Sequence, residues 1–129
     1  MTTSPIAYGQ ISTETVEAEK VALSSVSSIE NVIREHFKDT PIMIDIARCE
    51  SEFRQFNNSG TVLKNPTSSA KGVFQIMESL HKAPAARLGF DILTLEGNLA
   101  YAQYLYEKEG TRPWNASAKC WSKTLAYSE

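Results

Sequence analysis

The sequence predicts a mainly α (α+β) domain, in which a single helical body carries a small irregular or β-hairpin lobe. Two observations indicate this class. Apolar residues recur at helical spacing over 27–53 and 94–109, whereas the stretch 54–71 is polar and rich in turn residues. The 129 residues, 42% of them hydrophobic, suffice for one core that buries about two thirds of the chain's surface. We therefore expect one domain over 27–129, preceded over 1–26 by a tail or a marginal helix.

Two core helices are predicted at the start of this domain. Ser27 and Glu30 have the spacing of a capping box, and the apolar residues that follow predict a first helix over 28–38. The next three residues, 39–41, end that helix and start a second one over 41–53. They do so because they supply a threonine that can act as a cap and a proline that suits the first helical position.

The later elements follow from turn signals and helix-end signals. The Asn-Asn-Ser-Gly run at 57–60 predicts a turn, residues 61–63 predict a short hairpin strand, and residues 72–77 return to the apolar core. The remaining predicted elements are a short helix at 78–82, a second one opened by Pro84 and closed by Gly89, a long helix from Thr94 to Glu109 stopped by Gly110, and an aromatic, turn-rich end over 111–129.

Charge and hydropathy exclude several classes of function. Thirteen basic and fifteen acidic residues leave a formal charge of -2, which gives no general attraction to a phosphate backbone, so nucleic acid is not an expected partner. No run approaches the roughly 18 apolar residues of a membrane span, and residues 1–10 lack the pattern of a signal peptide. His36 and His81 are expected to be ordinary helix-surface residues, because no second ligand stands at metal spacing. We therefore expect neither a metal nor a cofactor.

The cysteines, Cys49 and Cys120, lie 71 positions apart and fit no CxxC metal or redox motif. Their number alone leaves two alternatives open, a pair of buried thiols or a disulfide that requires an oxidising compartment. A disulfide across so long a loop would stabilise the fold by up to about 4 kcal/mol.

Glu50 is the candidate catalytic residue. Ile46 and Ala47 precede it by four and three positions and Phe53 follows it by three, so its neighbours on the helix surface are apolar. Glu52 falls instead on the polar face. A carboxyl among apolar neighbours loses hydration, which raises its pKa and lets it hold a proton near neutral pH as a general acid.

Three blocks of the chain resemble one enzyme family. The blocks are Ala-Arg-Cys-Glu-Ser-Glu-Phe at 47–53, Gly-Val-Phe-Gln-Ile-Met at 72–77 and Gly-Asn-Leu-Ala-Tyr-Ala-Gln-Tyr-Leu-Tyr at 97–106. Over about 42–121 the chain resembles the lytic transglycosylase domains of the soluble (SLT) type. The resemblance implies a lysozyme-like fold and cleavage of peptidoglycan glycan strands between N-acetylmuramic acid and N-acetylglucosamine. It matches Glu50 to the single catalytic acid/base, and Ser51 and Gln75 to residues that line the site.

Three aromatic residues are further candidates for substrate binding. Where the family often has Ala-Tyr-Asn-Ala-Gly, this chain has Trp114-Asn115-Ala116, so the phenolic hydroxyl of the family's tyrosine is missing there. Trp114 either stacks on a sugar ring or anchors the core. Tyr101 and Tyr104, one helical turn apart, either reach the cleft or belong to the core. The resemblance also brings the last block back toward the catalytic helix, which favours the disulfide and hence an extracytoplasmic location.

The reaction type is indicated by the absence of acidic residues from Phe53 to Met77. Glycoside hydrolysis uses two carboxylates, so this absence favours a single-carboxylate mechanism. In the mechanism that the family implies, Glu50 protonates the glycosidic oxygen and then accepts the proton of the muramic acid C6 hydroxyl, which closes a 1,6-anhydro ring. Asp45 and Asp91 remain open as second acids. The alternatives are therefore a hydrolytic muramidase of the same fold, and a glycan-binding module or helical interaction domain without catalysis. The expected partner is the peptidoglycan glycan strand and the expected state is a monomer.

Overall fold

The computed structural model describes residues 26–128 of the chain. Over these residues the protein is mainly helical with a small two-stranded antiparallel sheet, which confirms the predicted fold class. The elements in chain order are α1 (Val26–His36), α2 (Pro41–Ser51), β1 (Ala70–Lys71), β2 (Ile76–Met77), α3 (Glu78–Arg87), α4 (Leu95–Glu109), a 3-10 helix (Arg112–Ser117) and α5 (Ala118–Ser128). The predicted N-terminal tail, residues 1–26, lies outside the described residues except for Val26.

Helix α1 contributes one apolar face to the core. Ile29 and Ile33 are fully buried, and Phe37, directly after the helix, is buried with them. Because α1 already includes Val26, Ser27 lies inside the helix and does not cap it, so the predicted capping box is wrong.

Helix α2 begins at Pro41, as predicted, since proline at the first helical position loses no hydrogen bond. Thr40 occupies the N-cap position, but its side chain makes no capping hydrogen bond. Ile46 is among the residues that α2 buries in the core. The helix ends at Ser51, two residues before the predicted end, because Glu52 adopts the left-handed conformation with φ 55°.

The lobe that follows α2 contains the predicted turn. The Asn57 side-chain oxygen accepts hydrogen bonds from the backbone N–H groups of Ser59 (2.9 Å) and Thr61 (3.2 Å). Such an Asx turn closes the chain locally without help from the rest of the fold, which is why the sequence alone predicts it.

The hairpin pairing predicted for 61–63 is present only as a short antiparallel bridge, and no extended strand forms there. Val62 pairs with Phe56 in an isolated bridge, and the sheet is formed by β1 and β2, which place Ala70 opposite Met77. Each strand has only two residues. Two residues are too few to show the alternation of polar and apolar side chains by which strands are predicted.

Helix α3 runs without interruption through Pro84, whereas the sequence predicts two short helices. Proline lacks the N–H that would bond the carbonyl of Leu80, one turn earlier. Leu80 is 62% exposed, so water can satisfy that carbonyl and the helix tolerates the proline.

Helix α4 agrees with the prediction to within one residue at its start and ends where predicted. The Thr94 hydroxyl accepts a hydrogen bond from the backbone N–H of Gly97 at 3.0 Å, which caps the first turn. Gly110 ends the helix, and its N–H bonds the carbonyl of Tyr106.

The 3-10 helix and α5 occupy residues 112–128, where the sequence predicts an aromatic, turn-rich end. Trp114 in the 3-10 helix and Trp121 in α5 are both buried, and α5 packs against α2. Helix α5 thus lies against the helix that carries Glu50. None of the helices within residues 26–128 has the length and apolar character required to cross a membrane.

Candidate functional site

Glu50 lies in the last turn of α2, at the edge of an open cleft of about 570 Å³, here called the Glu50 cleft. The residues that line it are Arg48, Cys49, Glu50, Ser51, Glu52, Arg54, Leu63 and Cys120. They come from the end of α2, the lobe and α5. The cleft therefore forms where three parts of the chain meet.

The Glu50 carboxyl is half-buried, and this burial raises its pKa above the ordinary value for glutamate. A hydrogen bond from the Ser117 hydroxyl to Oε2, 2.6 Å long, acts in the opposite direction and lowers the pKa, because it stabilises the ionised form. Burial is the larger effect. The direction agrees with the expectation from the apolar helix face, and it is the direction that a general acid requires.

Ser117 is a residue that the sequence analysis did not single out. Its Oγ lies 2.6 Å from Glu50 Oε2 and 3.1 Å from the Trp114 carbonyl oxygen, and it accepts a hydrogen bond of 3.1 Å from Trp121 Nε1. The Trp121 N–H also lies 3.2 Å from the Trp114 carbonyl. A hydroxyl therefore does reach Glu50, and it belongs to a residue three positions beyond Trp114.

A disulfide joins Cys49 to Cys120, with the two Cα atoms 6.0 Å apart, so the predicted pairing is confirmed. Cys49 precedes Glu50 in α2, and Cys120 follows Ser117 by one helical turn. The bridge therefore fixes the start of α5 beside the end of α2. This covalent constraint holds Ser117 within reach of the carboxyl.

Ser51 lines the Glu50 cleft but is itself buried. Its hydroxyl donates to the Ala47 carbonyl (3.2 Å) and accepts from the Arg54 N–H (3.1 Å). These bonds span two residues with positive φ, Glu52 (55°) and Phe53 (65°), where non-glycine residues are strained. The observed bonds of Ser51 thus stabilise the sharp exit of the chain from α2, and a contact with substrate stays a prediction.

Gln75 lies outside the Glu50 cleft. It lines a second cleft of about 220 Å³, here called the Gln75 cleft, whose residues are Gln75, Ile76, Met77, Leu80, His81, Leu105, Glu109, Pro113 and Trp114. The Gln75 side chain donates to the carbonyl of Gly72 at 2.9 Å, within its own turn. The structure therefore does not bring Gln75 into the cleft that holds Glu50. Trp114 lies between the two clefts: it lines the Gln75 cleft, and its carbonyl contacts Ser117, which bonds Glu50.

Trp114 is only 3% exposed. Its indole N–H donates to the carbonyl of Phe74 at 3.0 Å, and the two rings are 5.8 Å apart. With so little of the ring accessible, the alternative of a core anchor fits the structure and stacking on a sugar does not.

Tyr101 and Tyr104 belong to the helical body and line neither cleft. Tyr101 is 2% exposed, and its ring stacks on that of Tyr104 at 5.7 Å. Its hydroxyl lies 2.8 Å from Nδ1 of His81, which does line the Gln75 cleft. The two tyrosines therefore support a histidine at the cleft wall and do not face the Glu50 cleft themselves.

The two histidines differ from each other. His36 is an exposed helix-surface residue, as predicted, with Nε2 2.7 Å from Oε1 of Gln103. The corresponding prediction for His81 is wrong, because packing against Tyr101 makes it half-buried. This burial lowers the pKa of His81, while the charge of Glu109 raises it by less. Within residues 26–128 no three potential metal ligands converge.

Two buried amides position the turn that carries Gln75, and the sequence analysis missed both. Gln55 accepts from the Val73 N–H (2.9 Å) and donates to the Leu93 carbonyl (3.0 Å). Asn98 accepts from the Phe74 N–H at 2.9 Å. It also donates to the carbonyls of Lys71 (3.0 Å) and Ile92 (2.9 Å).

The two amides leave no room for a side chain at Gly72. A Cβ added there would lie 2.5 Å from Gln55 Oε1 and 2.5 Å from Asn98 Nδ2, and the residue has φ +75°. The glycine of the second sequence block is thus explained by the close approach of the two amides. Buried amides give no periodic signal in a sequence, which is why they were missed.

The candidate second acids occupy different places. Asp45 lies 3.8 Å from Arg48 on the flank of α2, and Asp91 accepts from the Leu93 N–H in the loop before α4. Neither lines the Glu50 cleft, whereas Glu52 does. The better candidate for a second acid is therefore Glu52, which helical spacing assigned to the polar face of the helix.

Comparison with protein-family models, with curated proteins and with solved structures gives no match to this chain. A functional assignment therefore depends on the geometry of the two clefts and on the three sequence blocks.

Proposed function

We propose that this protein is a peptidoglycan lytic transglycosylase that cleaves the bond between N-acetylmuramic acid and N-acetylglucosamine with Glu50 as its acid/base. One observation carries the proposal. Glu50 presents a half-buried carboxyl in an open cleft, its pKa is raised by burial, and one oxygen is held by Ser117. The sequence blocks around Glu50 and Gly72 give the substrate class by resemblance.

The chemistry requires one group that gives and then accepts a proton. Protonated Glu50 donates to the glycosidic oxygen, and the N-acetyl group of the substrate stabilises the developing positive charge. The Glu50 carboxylate then accepts the proton of the C6 hydroxyl, whose oxygen closes the 1,6-anhydro ring without consuming water. A well-oriented intramolecular attack of this kind is worth roughly 7 to 11 kcal/mol of the barrier.

A hydrolytic muramidase is the second candidate, and one observation favours it. Glu52 lines the same cleft as Glu50, so a second carboxylate is present. Hydrolysis would use it as a nucleophile or to activate water. Glu52 is exposed and has left-handed backbone geometry just beyond the helix end.

An extracytoplasmic location is part of the proposal. The disulfide between Cys49 and Cys120 forms and persists in an oxidising compartment, and peptidoglycan lies in such a compartment. The near-neutral formal charge of -2 suits recognition of glycans by shape and hydrogen bonds.

The test is digestion of purified peptidoglycan by the wild type, by Glu50→Gln and by the matched control Glu52→Gln, with the products read by mass spectrometry. We expect anhydro-muropeptides from the wild type and from Glu52→Gln. Loss of the acid/base in Glu50→Gln should slow release by about 100- to 10,000-fold.

Three results would contradict the proposal in different ways. Products heavier by one water, lost in both variants, would indicate the muramidase. Binding to peptidoglycan without product from any of the three proteins would indicate a glycan-binding module. Equal release by the wild type and Glu50→Gln would remove Glu50 from the mechanism.

A further inference from the structure

The geometry points to Ser117 as a positioning residue for the Glu50 carboxyl, which it holds at Oε2 so that Oε1 carries the proton given to the substrate. The inference rests on the proposed function, and it adds a residue that the sequence resemblance does not assign. The inference depends on three observations: the contacts at Ser117 Oγ, the disulfide at Cys120 one helical turn later, and the charged groups around the Glu50 cleft.

The contacts at Ser117 assign its single hydroxyl hydrogen. Two acceptors are in reach, Glu50 Oε2 at 2.6 Å and the Trp114 carbonyl at 3.1 Å. The Trp121 N–H at 3.1 Å already donates to Oγ, so it occupies one acceptor direction of the hydroxyl. The shorter distance assigns the hydrogen to Glu50 Oε2, as expected for a bond that becomes charge-assisted when the carboxyl ionises.

This assignment separates the two oxygens of the carboxyl. Oε2 accepts from Ser117, and among the side chains that the structure describes no donor bonds Oε1. The proton of the neutral acid therefore belongs on Oε1. When that proton leaves, negative charge develops on the carboxyl, and the Ser117 hydroxyl is already in place to stabilise it.

The position of Ser117 is fixed from two sides. Cys120, three residues later, is bonded to Cys49 beside Glu50, and Trp121 is 3% exposed in the core. A serine on a free loop would lose side-chain and backbone freedom whenever it bonded the carboxyl. Here the fold has already ordered it, so the hydrogen bond stands ready before substrate arrives.

Among the side chains that the structure describes, the charged groups lining the Glu50 cleft come from the end of α2 and the residues directly after it. Arg48, Glu52 and Arg54 line the cleft on the α2 side. From α5 the cleft is lined by Cys120, which carries no charge, and the contact from the 3-10 helix is the neutral Ser117. Removal of the Ser117 hydroxyl therefore changes a hydrogen bond at Glu50 without removing a charge.

The experiment compares Ser117→Ala with two controls. Ser117→Thr keeps a hydroxyl at the same position, and Ser122→Ala makes the same kind of change at an exposed serine of α5. For each protein we measure kcat and KM on peptidoglycan as a function of pH. The Glu50 carboxyl is titrated by carbon-13 NMR, its resonance being assigned by its absence in Glu50→Gln.

We expect Ser117→Ala to lower kcat by about 10- to 100-fold with little change in KM, because a hydrogen bond to a charged group is lost in the transition state. A general acid is inactive once ionised, and loss of this bond raises the pKa of Glu50. The alkaline limb of the pH profile and the NMR titration should therefore both move to higher pH. Ser117→Thr should restore the wild-type profile, and Ser122→Ala should not differ from it.

An unchanged Glu50 titration in folded Ser117→Ala would overturn the inference, and so would a rise in KM at constant kcat. If that variant does not fold, Ser117→Gly decides the question, because it also removes the hydroxyl: the Glu50 titration should move to higher pH in it, and an unchanged titration would overturn the inference. If the wild type cleaves no peptidoglycan but the titration moves as expected, the pairing stands and the proposed function fails.

Discussion

The protein holds polar side chains inside its fold in two places, and the two places differ in how completely hydrogen bonds satisfy them. Gln55 and Asn98 are fully buried, and both ends of each amide bond the backbone: they join the turn around Gly72 to the segment before α4, at Leu93 and Ile92. Glu50 is half-buried, titrates, and has one oxygen bonded to Ser117 and the other without a donor in the described chain.

The difference separates a structural role from a chemical one. An amide whose oxygen and nitrogen both bond the backbone is committed to the fold, and it offsets the cost of its burial by ordering a turn. A carboxyl with a raised pKa and a free oxygen retains both a proton and a place to deliver it. Burial alone marks neither role. What distinguishes Glu50 from the two amides is that it can ionise and that one of its oxygens accepts no hydrogen bond from the described chain.

The largest expected effect on stability comes from removing the disulfide beside Glu50. The Glu50 site is fixed by the disulfide, whose closed loop spans 71 positions, while the amide pair depends on hydrogen bonds alone. The double variant Cys49→Ser, Cys120→Ser should lower the free energy of unfolding by about 4 kcal/mol, as the loop-entropy model gives. Chemical denaturation of both proteins measures the difference. A loss below about 1 kcal/mol would contradict this expectation and show that packing keeps α5 on α2 without the bridge.

The next largest effect on stability comes from removing one of the two buried amides, Asn98. Asn98→Ala leaves the Phe74 N–H and the carbonyls of Lys71 and Ile92 without their buried partner, so the free energy of unfolding should fall by about 3 kcal/mol. Gln103→Ala on the exposed face of α4 is the matched control: its bonds to His36 and Glu107 are open to water, so the free energy of unfolding should change by less than about 0.5 kcal/mol. Equal losses in urea denaturation would mean that the buried amide contributes no more than a surface one.

The sequence predicts the parts of the fold that are stabilised locally. The apolar face of α1, the proline that opens α2, the Thr94 cap and the Gly110 stop are properties of short segments, and they appear at or close to their predicted positions. Helix α5 was missed because its position depends on the disulfide to α2 and on the burial of Trp121, which are tertiary.

The same division applies to the site. Glu50 could be found because helical spacing surrounds it with apolar residues of its own helix. Ser117 lies 67 positions away, and the disulfide between Cys120 and Cys49, together with the packing of α5 on α2, brings it to the carboxyl. A usable signal did exist: Glu50 follows Cys49, and Ser117 precedes Cys120 by one helical turn. His81 and the two amides gave no such signal, because their burial comes from distant helices.

The smallest expected effect is a pH-dependent difference in stability between the wild type and Glu50→Gln. Burial raises the pKa of Glu50 in the folded protein, so folding favours its protonated form. The stability that this preference contributes is complete below the unfolded pKa, and it is lost as pH rises through the folded one. Glu50→Gln, which is never charged, should therefore gain stability relative to the wild type between about pH 4 and about pH 7. Urea denaturation at both pH values checks this, and a relative loss at the higher pH would contradict a raised pKa.

The central claim is that Glu50 cleaves glycan strands without using water, and one measurement tests it most directly. Purified peptidoglycan is digested in ¹⁸O-labelled water by the wild type and by Glu50→Gln. The masses of the released muropeptides are then determined by mass spectrometry. The account predicts anhydro ends without heavy oxygen from the wild type and almost no new ends from the variant. Heavy oxygen at the new reducing ends, or equal release by the variant, would contradict it.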